Sequence, residues 1–320
     1  MSGRNLPARS LFLSTVVVLL GLVVACGSSA PAANQAFVQL RLDTPTPIPT
    51  PTQPPSPTPT PSPPELTLDD TLARQGGFFT VALSGAPSAV GDVRAYFNGS
   101  SYRLLPRGSD WVGAVGLAMD IETGYYSVEV KGEGLETLTG RVLVDPYDFP
   151  VDYLTLPPDS SGLLVDSVAI LQENALLARI YSAFTTPVRW SGAWIKPVAG
   201  PITNIFGTSR SINGGPLSPH TGTDIAADEA TPVMAAASGK VAYAGLLYLR
   251  GGSIVIDHGG GVFSGYHHLS GFAVEEGQLV RAGDLIGYVG ATGLADGPHL
   301  HWEAIVQGVR VDAMLFTKLR

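Results

Sequence analysis

Gly297-Pro298-His299-Leu300-His301-Trp302-Glu303 decides how this chain is read. The run has the composition of a strand. Successive strand side chains point to opposite faces, so His299 and His301 share one face and Leu300 and Trp302 the other. Two imidazoles on one side and two large apolar groups on the other describe the floor of a site laid over a core. Imidazole is the commonest transition-metal side-chain ligand and a frequent general acid or base. Alone, the pattern also fits a pair of surface histidines on a half-buried strand, so the rest of the chain must decide.

The chain has 320 residues, enough for two ordinary domains. Apolar residues make up 45% and charged residues 14%, which supplies material for real cores. Gly (38) and Pro (26) are abundant and favour turns and a linker over long helices. A net charge of -8 argues against a nucleic-acid partner, which needs a basic surface. Cys26 is the single cysteine, which excludes an intrachain disulfide and a cysteine-based zinc site.

The N-terminus accounts for that cysteine. Arg4 and Arg9 form a basic region, and Leu11 to Ala25 is an apolar run short for a membrane span and suited to a signal peptide over 1–25. Val23-Val24-Ala25-Cys26-Gly27 resembles a bacterial lipoprotein signal, which implies cleavage before Cys26 and lipidation of that residue; an uncleaved signal anchor is the alternative. Both place the body of the protein outside the cytoplasm, in the cell envelope. Residues 26–65 read as a Pro/Thr-rich linker. From Thr44 to Pro64 the alternating prolines block helix and sheet ladders and favour an extended polyproline spacer.

Residues 66–146 read as an immunoglobulin-like β-sandwich. Phe78 to Leu83 and Val93 to Phe97 are strands, Asn98-Gly99 is a hairpin turn, and Tyr126, Val128 and Val130 alternate with polar neighbours. Arg141 to Val144 closes this region, which clusters no His, Asp or Cys and is assigned a positioning role. Asn98-Gly99-Ser100 matches a glycosylation acceptor, a chance match in a bacterial exporter. Residues 147–190 connect. Asp166 is an N-cap candidate for a linker helix in which Val168, Leu171, Ala175 and Ala178 form the apolar stripe and Gln172, Glu173 and Arg179 face water.

Residues 191–320 hold all six histidines and read as a second all-β domain of short, Gly-punctuated strands. His220-Thr221-Gly222-Thr223-Asp224 offers an imidazole and a carboxylate four residues apart, with Gly222 favouring an extended or turn form. Such a pair supplies two thirds of a catalytic zinc site, or is a turn aspartate near a chance histidine. Tyr266-His267-His268-Leu269 offers two more imidazoles. Adjacent strand residues face opposite ways, and periodicity does not choose between them.

In order, spacing and context these pieces resemble the lysostaphin/LytM-type zinc metallopeptidases, murein endopeptidases of the duplicated-hybrid-motif fold, over about residues 196–315. Ile202 to Gly207 looks like that family's first strand and Phe-Gly turn. His220 and Asp224 fit its His-x-x-x-Asp, Thr231 to Ala236 and Ser238 to Val241 its following strand pair, Val255 to Gly259 its first hairpin, and His268-Leu269-Ser270 its Tyr-x-His-Leu-Ser segment. Gly287 to Gly293 with Gly297 to His301 fits its closing segment. The resemblance implies a mainly β chain with a LytM-type peptidase domain, Zn2+ held by His220, Asp224 and His301, catalytic roles for His268 and His299, and bacterial peptidoglycan peptides as substrate. Two histidines and a carboxylate leave one zinc position for water, the pattern of a catalytic centre.

His267 stands where that family has a small residue; strand alternation sends it away from the metal, as a surface or packing group. His258, beside Gly259-Gly260-Gly261, reads as a structural turn histidine. Glu303 shares a face with His301 and reads as an outer partner of the ligands or a solvated group, with a catalytic base as the minor alternative. Arg210 and Asn213 read as substrate contacts or turn residues. A second functional class stays open, a non-catalytic wall-binding scaffold or activator of another murein hydrolase. So does a zinc peptidase acting on a secreted peptide.

Overall fold

The computed structural model describes residues 63–86, 91–156 and 161–319. The expected signal peptide, Cys26 and all but the last three residues of the expected 26–65 linker lie outside the described residues. No helix among the described residues is long and apolar enough to cross a membrane. The chain is mainly β.

Eight strands come first: β1 (Glu65–Asp69), β2 (Phe78–Ser84), β3 (Arg94–Phe97), β4 (Ser100–Arg103), β5 (Leu105–Arg107), β6 (Asp110–Gly116), β7 (Gly124–Gly132) and β8 (Leu135–Val144). They form two four-stranded antiparallel sheets, ordered β1-β2-β6-β5 and β4-β3-β7-β8. Asn98 and Gly99 join β3 to β4 with φ of 45° and 76°, the left-handed pair that a two-residue hairpin needs. Between the sheets lies a core that includes Phe79, Val81, Leu83, Phe97, Val128, Val130 and Val142. Val128 and Val130 are buried while Ser127 and Lys131 are exposed, so β7 presents one face to that core.

Strand β9 (Val151–Leu154) and helix α1 (Ser167–Tyr181) follow. Asp166 caps the helix, its side chain accepting from the Ala169 amide at 2.9 Å. The buried face of α1 differs from the expected one. Val168 and Leu171 are 61% and 68% exposed, whereas Glu173, Leu177 and Tyr181 are buried. The expected solvation of Glu173 is therefore overturned. Glu173 bonds Arg250 Nη1 and the Leu249 amide, both at 2.7 Å, so a buried ion pair sets the orientation of the helix.

The remaining strands are β10 (Ile202–Asn204), β11 (Ser209–Ile212), β12 (Leu217–Pro219), β13 (Thr223–Ala226), β14 (Pro232–Met234), β15 (Gly239–Leu247), β16 (Gly251–Gly259), β17 (Val262–Phe272), β18 (Leu279–Val280), β19 (Leu285–Val289), β20 (His299–Val306) and β21 (Val309–Val311). Ten of these make one sheet along the path β10-β13-β20-β17-β16-β15-β18, with β14, β19 and β21 paired at its sides. β11, β12 and β9 form a separate three-stranded sheet, with β9 running parallel to β11.

β20 sits between β13 and β17 and is apolar along one face. Leu300 and Trp302 are fully buried there, with Trp194 and Phe316 stacked at 4.1 Å in the same core. Phe78 of β2 stacks on Phe316 at 4.6 Å, and Arg74 pairs with Asp312 at 2.7 Å. The eight-stranded region is thus packed onto the large sheet, within one compact unit.

Candidate metal centre

Sheet register assembles the site. Asp224 of β13 and His267 of β17 both lie opposite His301 of β20. Cross-strand partners project to the same face, so this row of three sits on the face away from Trp302. His220 precedes β13 and folds over the row. Its Nε2 lies 2.9 Å from His301 Nδ1 and 3.0 Å from Asp224 Oδ1, and His301 Nδ1 lies 2.8 Å from the same oxygen. All three residues are buried.

The tautomers are set from behind. His220 Nδ1 donates to the Ile205 carbonyl at 2.9 Å, which leaves the Nε2 lone pair facing inward. His301 Nε2 faces Glu303 Oε1 at 3.3 Å, which leaves Nδ1 facing inward. Two ring nitrogens and a carboxylate oxygen then converge on one point, a donor set that a single cation can satisfy together. Burial and the neighbouring imidazole hold the His220 pKa down at about 4. Burial also pulls on His301, but the Asp224 and Glu303 carboxylates on its two sides more than offset it and its pKa rises. Asp224 is likewise desolvated, yet the His220 and His301 rings beside it hold its carboxyl well below the usual carboxylate range. The three donor atoms lie within 4.8 Å of one another, close enough to hold one metal ion. Two nitrogens and one carboxylate oxygen fit zinc with a position left for water.

His268 reaches the site by a break in the strand. Two residues of β17, His267 and His268, stand opposite Ser253 of β16, because the register shifts from Ile254↔Tyr266 to Gly252↔Leu269. This is a β-bulge, and His268 takes the left-handed conformation, with φ of 62°. Its ring lies 4.8 Å from that of His299 and 5.8 Å from that of His301. His268 Nδ1 donates to the Thr292 carbonyl at 2.8 Å, and His299 Nδ1 to the Gly297 carbonyl at 2.9 Å. His299 Nε2 is 3.8 Å from Asp224 Oδ1. Burial and the adjacent His299 drive the His268 pKa well below the usual histidine value, so this imidazole is neutral at pH 7.

The regular pairing of β17 with β20, which sets His267 opposite His301, corrects the expectation for His267, which is not sent away from the site. It is fully buried, with its ring centroid 5.7 Å from that of His301. Its Nδ1 bonds Ser253 Oγ at 2.9 Å, and its Nε2 lies 3.7 Å from Glu303 Oε2. His258 is structural, with its nitrogens on the Ser238 carbonyl and Ser264 Oγ at 2.8 Å each. Glu303 is not solvated: it is fully buried beneath His301. Arg210 lies in β11, not in a turn, and its Nη2 pairs with Asp224 Oδ2 at 2.5 Å. Asn213 is a turn residue, with φ of 50° and its Oδ1 accepting from the Leu156 amide.

The matches to known proteins centre on these residues. The model of peptidase family M23 matches residues 218–313, which span His220 to the end of β21 and beyond. The chain carries a peptidase family M23 domain. Within it, DD-carboxypeptidase/endopeptidase Mpg of Neisseria meningitidis is 46% identical over 93 residues, 29% of this chain and 21% of that protein. Peptidoglycan DD-endopeptidase ShyA of Vibrio cholerae is 43% identical over 98 residues, 31% of this chain and 23% of that protein. This chain thus spans about a fifth of the length of these curated relatives. A solved structure from Pseudomonas aeruginosa carrying the peptidase M23 name is 28% identical, with a TM-score of 0.60. It covers 78% of this chain and 97% of its own, so the likeness extends well beyond the M23 domain.

Gly222, between His220 and Asp224, has no room for a side chain. A Cβ there would lie 2.6 Å from the Trp302 carbonyl oxygen and 2.7 Å from His301 Nε2. Gly222→Ala is expected to displace the His301 ring and weaken zinc binding about tenfold or more, in the range of altered outer partners of metal ligands. Competition with a chromophoric chelator measures this directly; unchanged affinity would mean that the ring tolerates the shift.

Sequence reading missed Arg250, Thr221 and Tyr181, which gather around Glu303, and misplaced Glu173, which holds Arg250. A signal was present. Glu303 lies in an otherwise apolar strand, Ala304-Ile305-Val306 following it, and a carboxylate buried there requires a cationic partner.

Proposed function

We propose that this protein is a zinc endopeptidase of the bacterial cell envelope that hydrolyses peptide bonds in peptidoglycan. In this reading His220, Asp224 and His301 hold the metal, and His268 and His299 act on the reacting atoms. The observation that carries it is the convergence of His220 Nε2, Asp224 Oδ1 and His301 Nδ1 within 3.0 Å of each other, inside an M23 domain. Relatives named as peptidoglycan DD-endopeptidases support the substrate. A signal peptide, lipidation at Cys26 and a stiff proline spacer, all read from sequence, support a membrane-anchored form with its β-sandwich and peptidase regions held outward.

The roles of the residues follow from their bonds. When bound, zinc supplies Lewis acidity and lowers the pKa of a water it carries. His220 and His301 present fixed lone pairs because Ile205 and Glu303 occupy their far nitrogens. Arg210 holds Asp224 Oδ2, which leaves Oδ1 for the metal side. His268 is neutral with Nδ1–H committed to Thr292, so Nε2 is a free base that takes the proton of the attacking water. His299 is anchored through Nδ1 at the rim, and its ring is the group assigned to the oxygen that gains charge on the scissile carbonyl.

A non-catalytic scaffold has no use for this complete donor set with all its tautomers fixed. The test is incubation with purified sacculi, with mass spectrometry of the fragments. Peptides are expected to be released, to cease with a chelator and to return with zinc. Release that ignores the chelator, or no release at all, would remove the proposal. Fragment masses also identify the bond that is cut.

A further inference from the structure

We infer that helix α1 is part of the metal site: Glu173, acting through Arg250, and Tyr181, acting directly on Glu303, position the His301 imidazole. The inference rests on the zinc-centre reading above and assigns positioning roles to residues that lie before the M23 domain in the chain.

Glu303 is fully buried and holds His301 Nε2 through Oε1. A buried carboxylate persists only with compensating charge and donors. Oε1 takes Thr221 Oγ1 at 2.6 Å, Arg250 Nη2 at 3.0 Å and Arg250 Nε at 3.3 Å. Oε2 takes Tyr181 Oη at 3.2 Å and faces His267 Nε2 at 3.7 Å and Arg310 Nε at 3.8 Å.

Arg250 is therefore the main cation on the oxygen that orients His301, and Glu173 holds the other edge of its guanidinium. The planar fork makes that grip directional. The second Glu173 oxygen accepts the Leu249 amide, which fixes the backbone next to Arg250. Glu173 and Tyr181 are eight residues apart, two i,i+4 steps, and so lie on one face of α1 with Leu177 between them. These three are the buried residues of the helix. The face by which α1 docks is the face that carries the network, and the more apolar stripe of Val168 and Leu171 is left in water.

Removing the Glu173 charge frees one edge of Arg250 and loosens Glu303 Oε1, so His301 populates the tautomer with Nδ1–H, which cannot bind metal. Glu173→Gln and Tyr181→Phe are close in shape to the native residues and test this without a hole in the core. Each is expected to weaken zinc binding about tenfold, the lower end of the cost of altered outer partners, by chelator competition. In the metal-free proteins, the ¹⁵N signals of the His301 ring are expected to move toward the Nδ1–H tautomer. Leu177→Ala loosens the same helix face without touching the network. It is expected to lower Tm while zinc affinity and the His301 signals stay at wild-type values.

Wild-type affinity and unchanged ring signals in both Glu173→Gln and Tyr181→Phe would overturn the inference, as would an equal loss of zinc affinity in Leu177→Ala. Failure of the wild-type protein to take up zinc would instead overturn the metal-centre reading on which it rests.

Discussion

Replacing His301 by alanine is expected to give a folded protein that retains no zinc and whose release of peptides from sacculi falls at least about a thousandfold, the scale set by loss of a metal-generated nucleophile. His301 is the hub of the centre: its Nδ1 meets both other donors, at 2.8 and 2.9 Å. Without it His220 and Asp224 remain, and two ligands do not make the three-ligand catalytic pattern. The fold survives because the core lies on the opposite face of β20. Leu300 and Trp302 keep their contacts, and Glu303 keeps Arg250, Thr221 and Tyr181, so no buried charge is left unpaired. Metal content, circular dichroism and fragment release measured on one preparation separate the effects. One equivalent of zinc retained by His301→Ala would place the metal elsewhere.

How much of this centre was legible in the sequence depends on the backbone around each residue. His220, Asp224 and His301 could be named because residue type, order and spacing matched a known family, and an unbroken register aligns Asp224 with His301. His267 and His268 could not be sorted by alternation, because alternation holds only while the ladder is regular. Regular pairing sets His267 opposite His301, and the bulge opposite Ser253 adds His268, so both rings lie within 6 Å of the His301 ring. The Asn98-Gly99 hairpin was legible because it is a local event with a strict backbone requirement. The docking face of α1 was not. A hydrophobic stripe predicts burial when apolar area decides the contact, and here the ion pair of Glu173 with Arg250, 77 residues away, decides it.

The bulge also makes His268 separable from the metal. His268→Gly is expected to lower kcat about 10²- to 10⁴-fold, the usual contribution of a positioned general base, while zinc content stays at one equivalent. Glycine is the apt replacement because position 268 has φ of 62°, a conformation that glycine adopts without the steric cost borne by other residues. The variant is therefore expected to match or exceed the wild type in Tm, even though it loses the bond to the Thr292 carbonyl. It also leaves a space the size of an imidazole, bounded by that carbonyl and the His299 ring. Free imidazole added to the assay is expected to restore part of the lost rate in His268→Gly and none in His301→Ala, because a diffusible base replaces a proton acceptor but does not rebuild a hub fixed on three sides. Full activity in His268→Gly would hand the base role to His299, whose ring already lies beside Asp224. Loss of zinc in the same variant would make His268 a support for the ligands instead. Rate, metal content and rescue together thus distinguish proton transfer from scaffolding at a position where the backbone itself favours a residue with no side chain.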